Sequence, residues 1–274
     1  MSKTVFITGA SSGIGLASAK FFFAKGWDVV ATMRSPDKDT ELKQLDPKSM
    51  QVLRLDLQDL ASIKSAVEAA IAKFQKIDLL LNNAGYGQNG LFETISREQI
   101  QAQFDVNLFG LMDVIRTVLP HFQDKHSGGI INVSSGGGVY ALPIMSIYCA
   151  SKFALEGFTE ALAYELASQN IWVKSVIPHG GVTNTNFGAG GLAGPDAPES
   201  YKPFVEKVLG AYGKTVAARS ISSEDVAKVV FEAATDGTDR LRYLVGNDSR
   251  GFMKARYESK NDEEYVTYMR SFFQ

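Results

Sequence analysis

Short apolar runs alternate along the chain with longer segments in which apolar residues recur every three or four positions. The runs contain few polar residues, which is typical of strands in a parallel sheet covered on both faces. They predict seven strands, at Thr4–Thr8, Asp28–Met33, Met50–Leu55, Leu79–Asn82, Ile130–Ser134, Trp172–Ile177 and Arg242–Val245. Helical spacing is clearest in two of the intervening segments, 63–74 and 104–122.

This alternation predicts a single doubly wound α/β domain over residues 1–274, with a parallel sheet of about seven strands and helices on both faces. No linker, repeat or charge block interrupts the series. Glycines and prolines break the period over 184–218, which predicts a long functional loop. The extension 251–274 carries Tyr265, Tyr268, Met269, Phe272 and Phe273 on one helical face, so we expect it to dock on the domain.

Composition narrows the class of protein. The 28 Lys and Arg nearly balance 30 Asp and Glu, a net charge of −2 that argues against binding to nucleic acid or an anionic membrane. A hydrophobic share of 45% supports a buried core and excludes a disordered or collagen-like chain. The single cysteine, Cys149, is expected to be a small apolar core residue and fits a reducing compartment. With neither a signal-peptide pattern nor an apolar run of membrane length, we expect a cytoplasmic protein without a membrane span.

The first predicted strand runs through a glycine-rich turn, Gly9–Gly15, directly into a helical pattern. At such a turn, free backbone N–H groups and the positive end of the helix dipole bind a pyrophosphate. The glycines follow Gly-x-x-x-Gly-x-Gly rather than the usual Gly-x-Gly-x-x-Gly of dinucleotide-binding loops. Taken alone, the turn therefore also fits a purely structural role.

The end of the second predicted strand bears on the choice of cofactor. A fold that binds NAD places an acidic residue there, which holds the ribose 2′-hydroxyl. This chain has Met33 and Arg34 instead, and a guanidinium pairs with a 2′-phosphate, so the sequence favours NADP(H). Two alternatives stay open: Arg34 as a solvated surface charge, and Asp37 or Asp39 as the ligand of a ribose.

Tyr148 and Lys152 are four residues apart at the start of a predicted helix, so their side chains project from one helix face. Lowering the pKa of a tyrosine from about 10 to about 7 requires roughly 4 kcal/mol in favour of the phenolate. One ammonium at about 4 Å, in an effective dielectric constant near 20, supplies about that much. The pair predicts an acid-base group, with a chance Tyr-x-x-x-Lys on a surface helix as the alternative.

Six elements resemble, in order and spacing, the short-chain dehydrogenase/reductase family. They are Thr8–Gly15, Asp56, Asn82–Gly85, Asn107, Ser134-Ser135 and the Tyr148/Lys152 pair. The resemblance covers nearly the whole chain and implies a Rossmann fold. Around Tyr148 the sequence is most similar to the hydroxysteroid and retinol dehydrogenase branch.

The resemblance implies a catalytic role for four side chains. Tyr148 would donate a proton to the substrate carbonyl oxygen, while Lys152 would hold the nicotinamide ribose hydroxyls and lower the pKa of Tyr148. Ser135, 13 residues before Tyr148, would hydrogen-bond the reacting oxygen, with Ser134 as a backup candidate. Asn107 would hold a water that relays protons to Lys152; a satisfied core amide or a helix kink is the alternative.

The resemblance also implies the residues that bind NADP(H). Asp56 and Leu57 would flank the adenine, and Asn82, Ala84 and Gly85 would line the end of the sheet beside the ribose. The remaining implied cofactor contacts, besides Tyr148 and Lys152, are Gly9, Ser11, Ser12, Gly13, Ile14, Gly15, Arg34, Pro178, Gly180 and Thr183.

The segment Ile177–Thr185 departs from the family, whose members usually have Pro-Gly there and then a threonine that contacts the nicotinamide carboxamide. His179 replaces the glycine, and Thr183 or Thr185 is the carboxamide contact, with ungapped spacing favouring Thr183. His179 is either a substrate contact or, as we favour, a solvent-facing loop residue. His121 and His126 are expected at the surface, and no residues have metal-site spacing.

The sequence thus predicts an NADP(H)-dependent oxidoreductase without a metal, which transfers hydride between the nicotinamide and a carbonyl or secondary alcohol. Apolar residues in 184–218 either form a lid over a steroid-, retinoid- or lipid-like ketone or aldehyde or dock a helix, and the sequence leaves both open. The alternatives are a catalytically silent NADP(H)-binding sensor or scaffold and, less favoured, an epimerase or dehydratase. The resemblance further implies a homodimer or homotetramer through Gln103–Phe122 and Ala150–Ala167.

Overall fold

Seven parallel strands form the central sheet of the structure, a computed structural model that describes residues 2–183, 197–248 and 250–273. The strands lie in the order β3-β2-β1-β4-β5-β6-β7. Their bounds are β1 Thr4–Thr8, β2 Asp28–Met33, β3 Met50–Arg54, β4 Leu79–Asn82, β5 Gly128–Val133, β6 Ile171–His179 and β7 Arg242–Gly246. Each predicted strand is confirmed, and the ends differ from prediction by at most two residues.

Nine α-helices lie between and after these strands in the described part of the chain. They are α1 Gly13–Ala24, α2 Leu60–Phe74, α3 Arg97–Phe104, α4 Leu111–Asp124, α5 Ser146–Ala167, α6 Lys202–Arg219, α7 Ser223–Thr235, α8 Phe252–Glu258 and α9 Asp262–Arg270. A π-helical turn, Asp105–Gly110, joins α3 to α4. The predicted doubly wound α/β fold is therefore confirmed.

Each central strand sends its side chains into two separate cores. In β1, Phe6 packs in the core formed with α2, α4 and α5, whereas Val5 and Ile7 pack in the core that includes α1 and α7. In β4, Leu80 packs in the first of these cores, and its neighbours Leu79 and Leu81 pack in the second. Because both faces of the sheet are buried, the strands are apolar along their whole length rather than at every second residue.

A third cluster of apolar residues joins the loop between β5 and α5 to the last helices. Tyr140 and Ile144 from that loop pack with α6, α8, α9 and the residues after α9, where the buried side chains include Phe252, Met269 and Phe273. The rings of Tyr140 and Phe252 meet edge to face at 5.3 Å between centroids. The terminal segment thus packs beside the loop that leads from Ser135 to Tyr148.

Helix α6 corrects part of the predicted loop 184–218. Residues 184–196 lie outside the described residues, but the rest forms a short 3₁₀ turn, Glu199–Tyr201, and α6. Pro203 stands in the first turn of α6, where no intrahelical N–H bond is lost, so it does not break the helix. Val208 and Tyr212 are buried, so part of the apolar surface assigned to a substrate instead docks this helix.

The strand order reverses between the adjacent strands β1 and β4. The strands that follow β1 in the chain, β2 and β3, lie towards one edge of the sheet, and those that follow β4 lie towards the other. In open parallel sheets, ligands bind beyond the carboxyl ends of the strands at such a reversal. Among the described residues no helix combines the length and hydropathy needed to cross a membrane.

Candidate active site

The glycine-rich loop after β1 lies as close to its neighbours as the backbone permits. Gly9 has a φ of +72°, and a Cβ there would lie 2.8 Å from the Cα of Ala84. A Cβ on Gly15, in the first turn of α1, would lie 2.2 Å from the carbonyl oxygen of Gly9. The observed glycine spacing is therefore required by contacts between the loop, α1 and the segment after β4.

Side-chain hydrogen bonds hold this loop against the end of β4. The Thr8 hydroxyl accepts from the backbone N–H groups of Asn83 at 3.0 Å and Ala84 at 3.1 Å. The Asn83 amide donates to the carbonyl oxygens of Thr8 and Gly9, at 3.0 Å each. The sequence analysis named Thr8 and Asn83 only within motifs and assigned them no contact with each other. Their positions at the ends of β1 and β4 could have indicated that contact.

The Asn82 side chain makes a hydrogen bond within the sheet. Its amide donates to Asn132 in β5 at 2.9 Å, and the Asn132 amide donates to the Thr159 hydroxyl in α5 at 2.9 Å. The Asn82 side chain therefore links the sheet to α5, while Ala84 and Gly85 lie at the end of the sheet. Gly85 is exposed there and Ala84 is half-buried.

Helix α1 begins at Gly13, directly after the loop. Ser12 precedes it in an extended conformation, and its side chain makes no capping hydrogen bond. The first backbone N–H groups of a helix have no intrahelical acceptors. The residues at this helix start are exposed or half-buried: Ser11, Ser12, Gly13 and Ile14.

Arg34 follows β2 and is exposed, and no described carboxylate lies within ion-pair distance of it. Asp39, a sequence alternative for a ribose contact, instead accepts hydrogen bonds from the backbone of Leu42 and Lys43. Asp37 remains exposed.

Asp56 and Leu57 follow β3 at the same edge of the sheet. The Asp56 carboxylate accepts from the N–H of Gln58 at 3.1 Å, while Leu57 is buried in the core. A Cβ on Gly110 would lie 2.5 Å from the Leu57 carbonyl oxygen. This contact holds the π-helical turn next to the segment after β3.

Ser135, Tyr148 and Lys152 come together beyond β5. Ser135 hydrogen-bonds the Tyr148 hydroxyl, and its Oγ accepts from the N–H of Gly137 at 3.1 Å. Tyr148 is 5% exposed and Lys152 is 6% exposed. The Lys152 ammonium donates to the carbonyl oxygen of Val133 at 2.9 Å. The Ser134 hydroxyl is buried and meets no partner among the described residues, so the geometry favours Ser135 over Ser134.

Burial shifts the pKa values of Tyr148 and Lys152 in the directions that favour their neutral forms. It raises the pKa of Tyr148 above the ordinary value, although the hydrogen bond with Ser135 opposes the shift. It lowers the pKa of Lys152 to about 8, against the opposing charge of Glu156. Lys152 is not among the groups that shift the pKa of Tyr148 in this structure, where its ammonium bonds to Val133, so the expectation that it lowers this pKa stays a prediction.

Asn107 lies in the π-helical turn and is 1% exposed. Its Oδ1 accepts from the N–H of Tyr86 at 3.1 Å, and its Nδ2 donates to the Tyr86 carbonyl oxygen at 2.9 Å and to Ser151 Oγ at 3.2 Å. A Cβ on Gly85 would lie 3.1 Å from Asn107 Oδ1 and 3.9 Å from Lys152 Nζ. The turn thus places Asn107 beside the lysine.

Glu156, one helical turn after Lys152, is a charged residue that sequence reasoning missed. Its side chain is 7% exposed, and it accepts from the Ser175 hydroxyl at 2.5 Å and from Arg242 Nε at 2.8 Å. Arg242 also binds Glu160 at 2.6 Å. These bonds tie the helix of Tyr148 and Lys152 to β6 and β7. The sequence signal for Glu156 was its position four residues after Lys152, which places both side chains on one face of α5.

Two histidines are more buried than the sequence analysis expected. His179 is 8% exposed, because β6 extends to this residue and directs its side chain towards the loop after β5. His121 is half-buried, and its Nε2 accepts from the N–H of Ile77 at 3.0 Å. The solvent-facing assignment of His179 is therefore wrong, whereas His121 is partly exposed and His126 is exposed as expected. Across the described ranges no three potential metal ligands cluster together.

The segment after β6 continues the same edge of the sheet. Pro178 pairs with Val245 of β7, and Gly180 has a φ of +81°. The Thr183 hydroxyl donates to the carbonyl oxygen of Ile221 at 3.3 Å. Thr185, the alternative carboxamide contact, lies outside the described residues.

Comparisons with known proteins agree on the family. The family described as short chain dehydrogenase matches residues 3–190. An uncharacterized oxidoreductase of Schizosaccharomyces pombe is 38% identical over 78% of this chain and 89% of its own length. Human retinol dehydrogenase 8 is 33% identical over 88% of this chain and 80% of its own length.

Solved structures share the fold. A short-chain dehydrogenase from Streptomyces avermitilis superposes with a TM-score of 0.84 and 30% identity, over 99% of both chains. A 3-ketoacyl-(acyl-carrier-protein) reductase from Brucella melitensis, complexed with NADH, gives a TM-score of 0.75 and 25% identity over 89% of this chain and 96% of its own. A short chain dehydrogenase from Burkholderia cenocepacia in complex with NADP gives 0.76 and 21% identity, with 98% of both chains covered. The parallel sheet, the glycine loop and the Ser135, Tyr148 and Lys152 cluster thus stand in a chain that belongs to the short-chain dehydrogenase/reductase family of oxidoreductases.

Proposed function

We propose that this oxidoreductase uses NADP(H) to transfer hydride between the nicotinamide and a carbonyl or secondary alcohol. The observation that carries the proposal is the buried cluster of Ser135, Tyr148 and Lys152 at the carboxyl edge of the sheet, beside the glycine-rich loop. A silent sensor would not need a buried phenol that hydrogen-bonds a serine at this edge.

The residues of the loop fit a dinucleotide. Gly9 and Gly15 let the loop and α1 pack tightly against each other, and because the Ser12 side chain does not cap α1, its first backbone N–H groups are open to a pyrophosphate. Residues from Gly9 to Gly15 would hold the phosphates, Arg34 the 2′-phosphate, Asp56 and Leu57 the adenine, and Lys152 the nicotinamide ribose. The segment Pro178–Thr183 would meet the nicotinamide. The bound nicotinamide would supply the hydride.

The chain's own residues would handle the proton. Because burial raises the pKa of Tyr148, the phenol is neutral at neutral pH and is ready to protonate an alkoxide that forms within hydrogen-bond reach. Ser135 would hold the same oxygen and orient it towards Tyr148. Asn107 and Lys152, adjacent across Gly85, would form the path by which Tyr148 recovers a proton.

The direct test is to follow NADPH oxidation with a panel of ketones and aldehydes that extends from small rings to long-chain and polycyclic compounds. We expect turnover, with preference for apolar carbonyls, since the human relative is named a retinol dehydrogenase. Tight binding of NADPH without turnover of any carbonyl, and without oxidation of the matching alcohols by NADP⁺, would favour the silent sensor instead.

Replacing Arg34 with glutamine tests the choice of cofactor. If the guanidinium pairs with the 2′-phosphate, we expect kcat/KM for NADPH to fall by about 10–100-fold, the value of one charge-assisted contact of roughly 1.5–3 kcal/mol. The value for NADH should change little. Lys38→Gln, which removes an exposed charge from the next turn, is the control. A wild-type enzyme that works equally well with NADH would contradict the NADP(H) assignment.

The buried ammonium of Lys152 predicts a pH dependence for cofactor binding. Its pKa is lowered to about 8, so the charge is present below pH 8 and is lost as the pH rises. If Lys152 holds the ribose hydroxyls through its charge, the Kd for NADPH should increase by up to about tenfold per pH unit above the pKa. Titrations of NADPH fluorescence between pH 7 and 10 measure this. Lys152→Met should bind weakly without that dependence, and an unchanged wild-type Kd up to pH 10 would refute the role.

We further propose a cytoplasmic homodimer or homotetramer. Phe109 in the π-helical turn and Phe153 in α5 are 47% and 39% exposed. Large apolar side chains at the surface favour association, and these two lie in the helices for which the family resemblance implies contact between subunits.

A further inference from the structure

The side chains of Tyr140 and His179 both lie against Gly136, the residue that follows Ser135. A Cβ on Gly136 would lie 2.6 Å from the Tyr140 hydroxyl and 2.8 Å from the Cβ of His179. The next residue, Gly137, packs against the Tyr148 ring, since a Cβ there would lie 3.0 Å from Cε1. Tyr140 and His179 therefore flank the same short loop that carries the proposed catalytic serine and covers the proposed catalytic tyrosine.

Neither side chain has a hydrogen-bond partner among the described residues. Tyr140 is 6% exposed, and the Nδ1 atom of His179 is fully buried without a partner. A buried polar group that is left unpaired typically costs about 1–3 kcal/mol. His179 Nδ1 is such a group, and the Tyr140 hydroxyl beside the same glycine adds a second polar atom to an otherwise apolar cluster.

Charged groups near the pair are bonded to other partners. The Asp248 carboxylate accepts from the backbone N–H groups of Met253 and Lys254, at 3.1 and 3.0 Å. Arg250 donates to the carbonyl oxygen of Ala211. Burial lowers the pKa of His179 and raises that of Tyr140, so both are neutral at neutral pH and suit a neutral ligand atom.

We propose that Tyr140 and His179 together bind a second oxygen atom of the substrate, one that lies close to the reacting carbonyl but does not react. This inference rests on the proposed function, and it narrows the substrate class to apolar ketones or aldehydes with a neighbouring hydroxyl or carbonyl group. Tyr140 donates to that oxygen, and the imidazole donates to it or accepts from it. A half-turn of the ring exchanges Nδ1 with Cδ2, so either edge can face the ligand.

The test compares three ketones with the same ring: cyclohexanone, cyclohexane-1,2-dione and cyclohexane-1,4-dione. For the wild type, Tyr140→Phe and His179→Leu, kcat/KM is measured for each ketone at saturating NADPH. The ratio of kcat/KM for the better dione to kcat/KM for cyclohexanone removes effects on the chemical step that all three ketones share. We expect this ratio to fall about tenfold in each variant, mainly through KM, which corresponds to one hydrogen bond.

Thermal unfolding of the same variants separates substrate recognition from a structural role. Removal of an unpaired buried polar atom should leave the midpoint unchanged or raise it. A fall of more than about 3 °C in either variant would show that the group is bonded within the protein and would overturn the inference. Tyr257→Phe and His126→Asn, at exposed positions, are the matched controls.

The remaining outcomes separate the two proposals. If the wild type reduces the ketones and the ratio is unchanged in both variants, the second-oxygen site is overturned while the oxidoreductase function stands. If the wild type reduces none of these ketones and none of the wider carbonyl panel, the proposed function fails and the inference falls with it.

Discussion

Replacing Tyr148 with phenylalanine is expected to lower kcat for carbonyl reduction by about 10²–10⁴-fold, the usual contribution of a positioned acid. The substitution removes only the hydroxyl that Ser135 hydrogen-bonds, while the ring keeps its contact with Gly137. Steady-state kinetics measure kcat, and a fluorescence titration measures NADPH affinity. We expect the affinity to change by less than about threefold, because the hydroxyl acts on the reacting oxygen rather than on the phosphates.

Tyr164→Phe is the matched control for this substitution. Tyr164 lies on the same helix, is 70% exposed and hydrogen-bonds Glu160. Its loss should leave kcat within about twofold, since surface substitutions have small effects. If Tyr148→Phe retained more than a tenth of the wild-type kcat, another group would have to supply the proton, and the acid-base assignment would be wrong.

Replacing Gly15 with alanine should weaken NADPH binding by at least about 100-fold, because a misplaced anion cradle loses several hydrogen bonds of about 1 kcal/mol or more. The new Cβ would lie 2.2 Å from the Gly9 carbonyl oxygen and 2.5 Å from Asn83 Nδ2. Backbone cannot move aside as a flexible side chain can, so the loop or the start of α1 must shift. Circular dichroism reports whether the fold survives, and calorimetry reports the affinity.

Gly157→Ala provides the comparison within another helix. A Cβ at Gly157 in α5 meets nothing within 4 Å, so alanine should increase stability by about 0.5–1 kcal/mol and leave NADPH binding unchanged. Wild-type affinity in Gly15→Ala would show that the close approach of α1 to Gly9 is not required for binding.

The strands and the cluster of Ser135, Tyr148 and Lys152 were predictable because local pattern determines them. β1, β2 and β4 begin and end at the predicted residues, since both faces of these strands are buried and the apolar run coincides with the strand. Tyr148 and Lys152 share a face of α5 through helical periodicity alone. Ser135 was identified by its family spacing, and its hydrogen bond with Tyr148 agrees with that choice.

Features that depend on distant residues were not predictable. His179 is buried by the loop after β5, and His121 accepts a hydrogen bond from Ile77, which is 44 residues away. The pKa of Tyr148 rises because the surrounding chain excludes water, whereas the sequence shows only the lysine one helical turn away. Helix α6 was only one of two open alternatives, because the glycines and prolines around it obscured the short apolar pattern that starts after Pro203.

The π-helical turn Asp105–Gly110 restricts how the length of this chain can vary. Each residue of a regular helix advances the side-chain direction by about 100°, so deleting one residue here would rotate everything that follows. Either Asn107 would then leave Tyr86 and Ser151, or Leu111 and Val114 would leave the core. Converting the π-helical turn into regular α-helix would likewise break either the Asn107 hydrogen bonds or the core packing of Leu111 and Val114. Insertions and deletions should therefore be poorly tolerated at this turn.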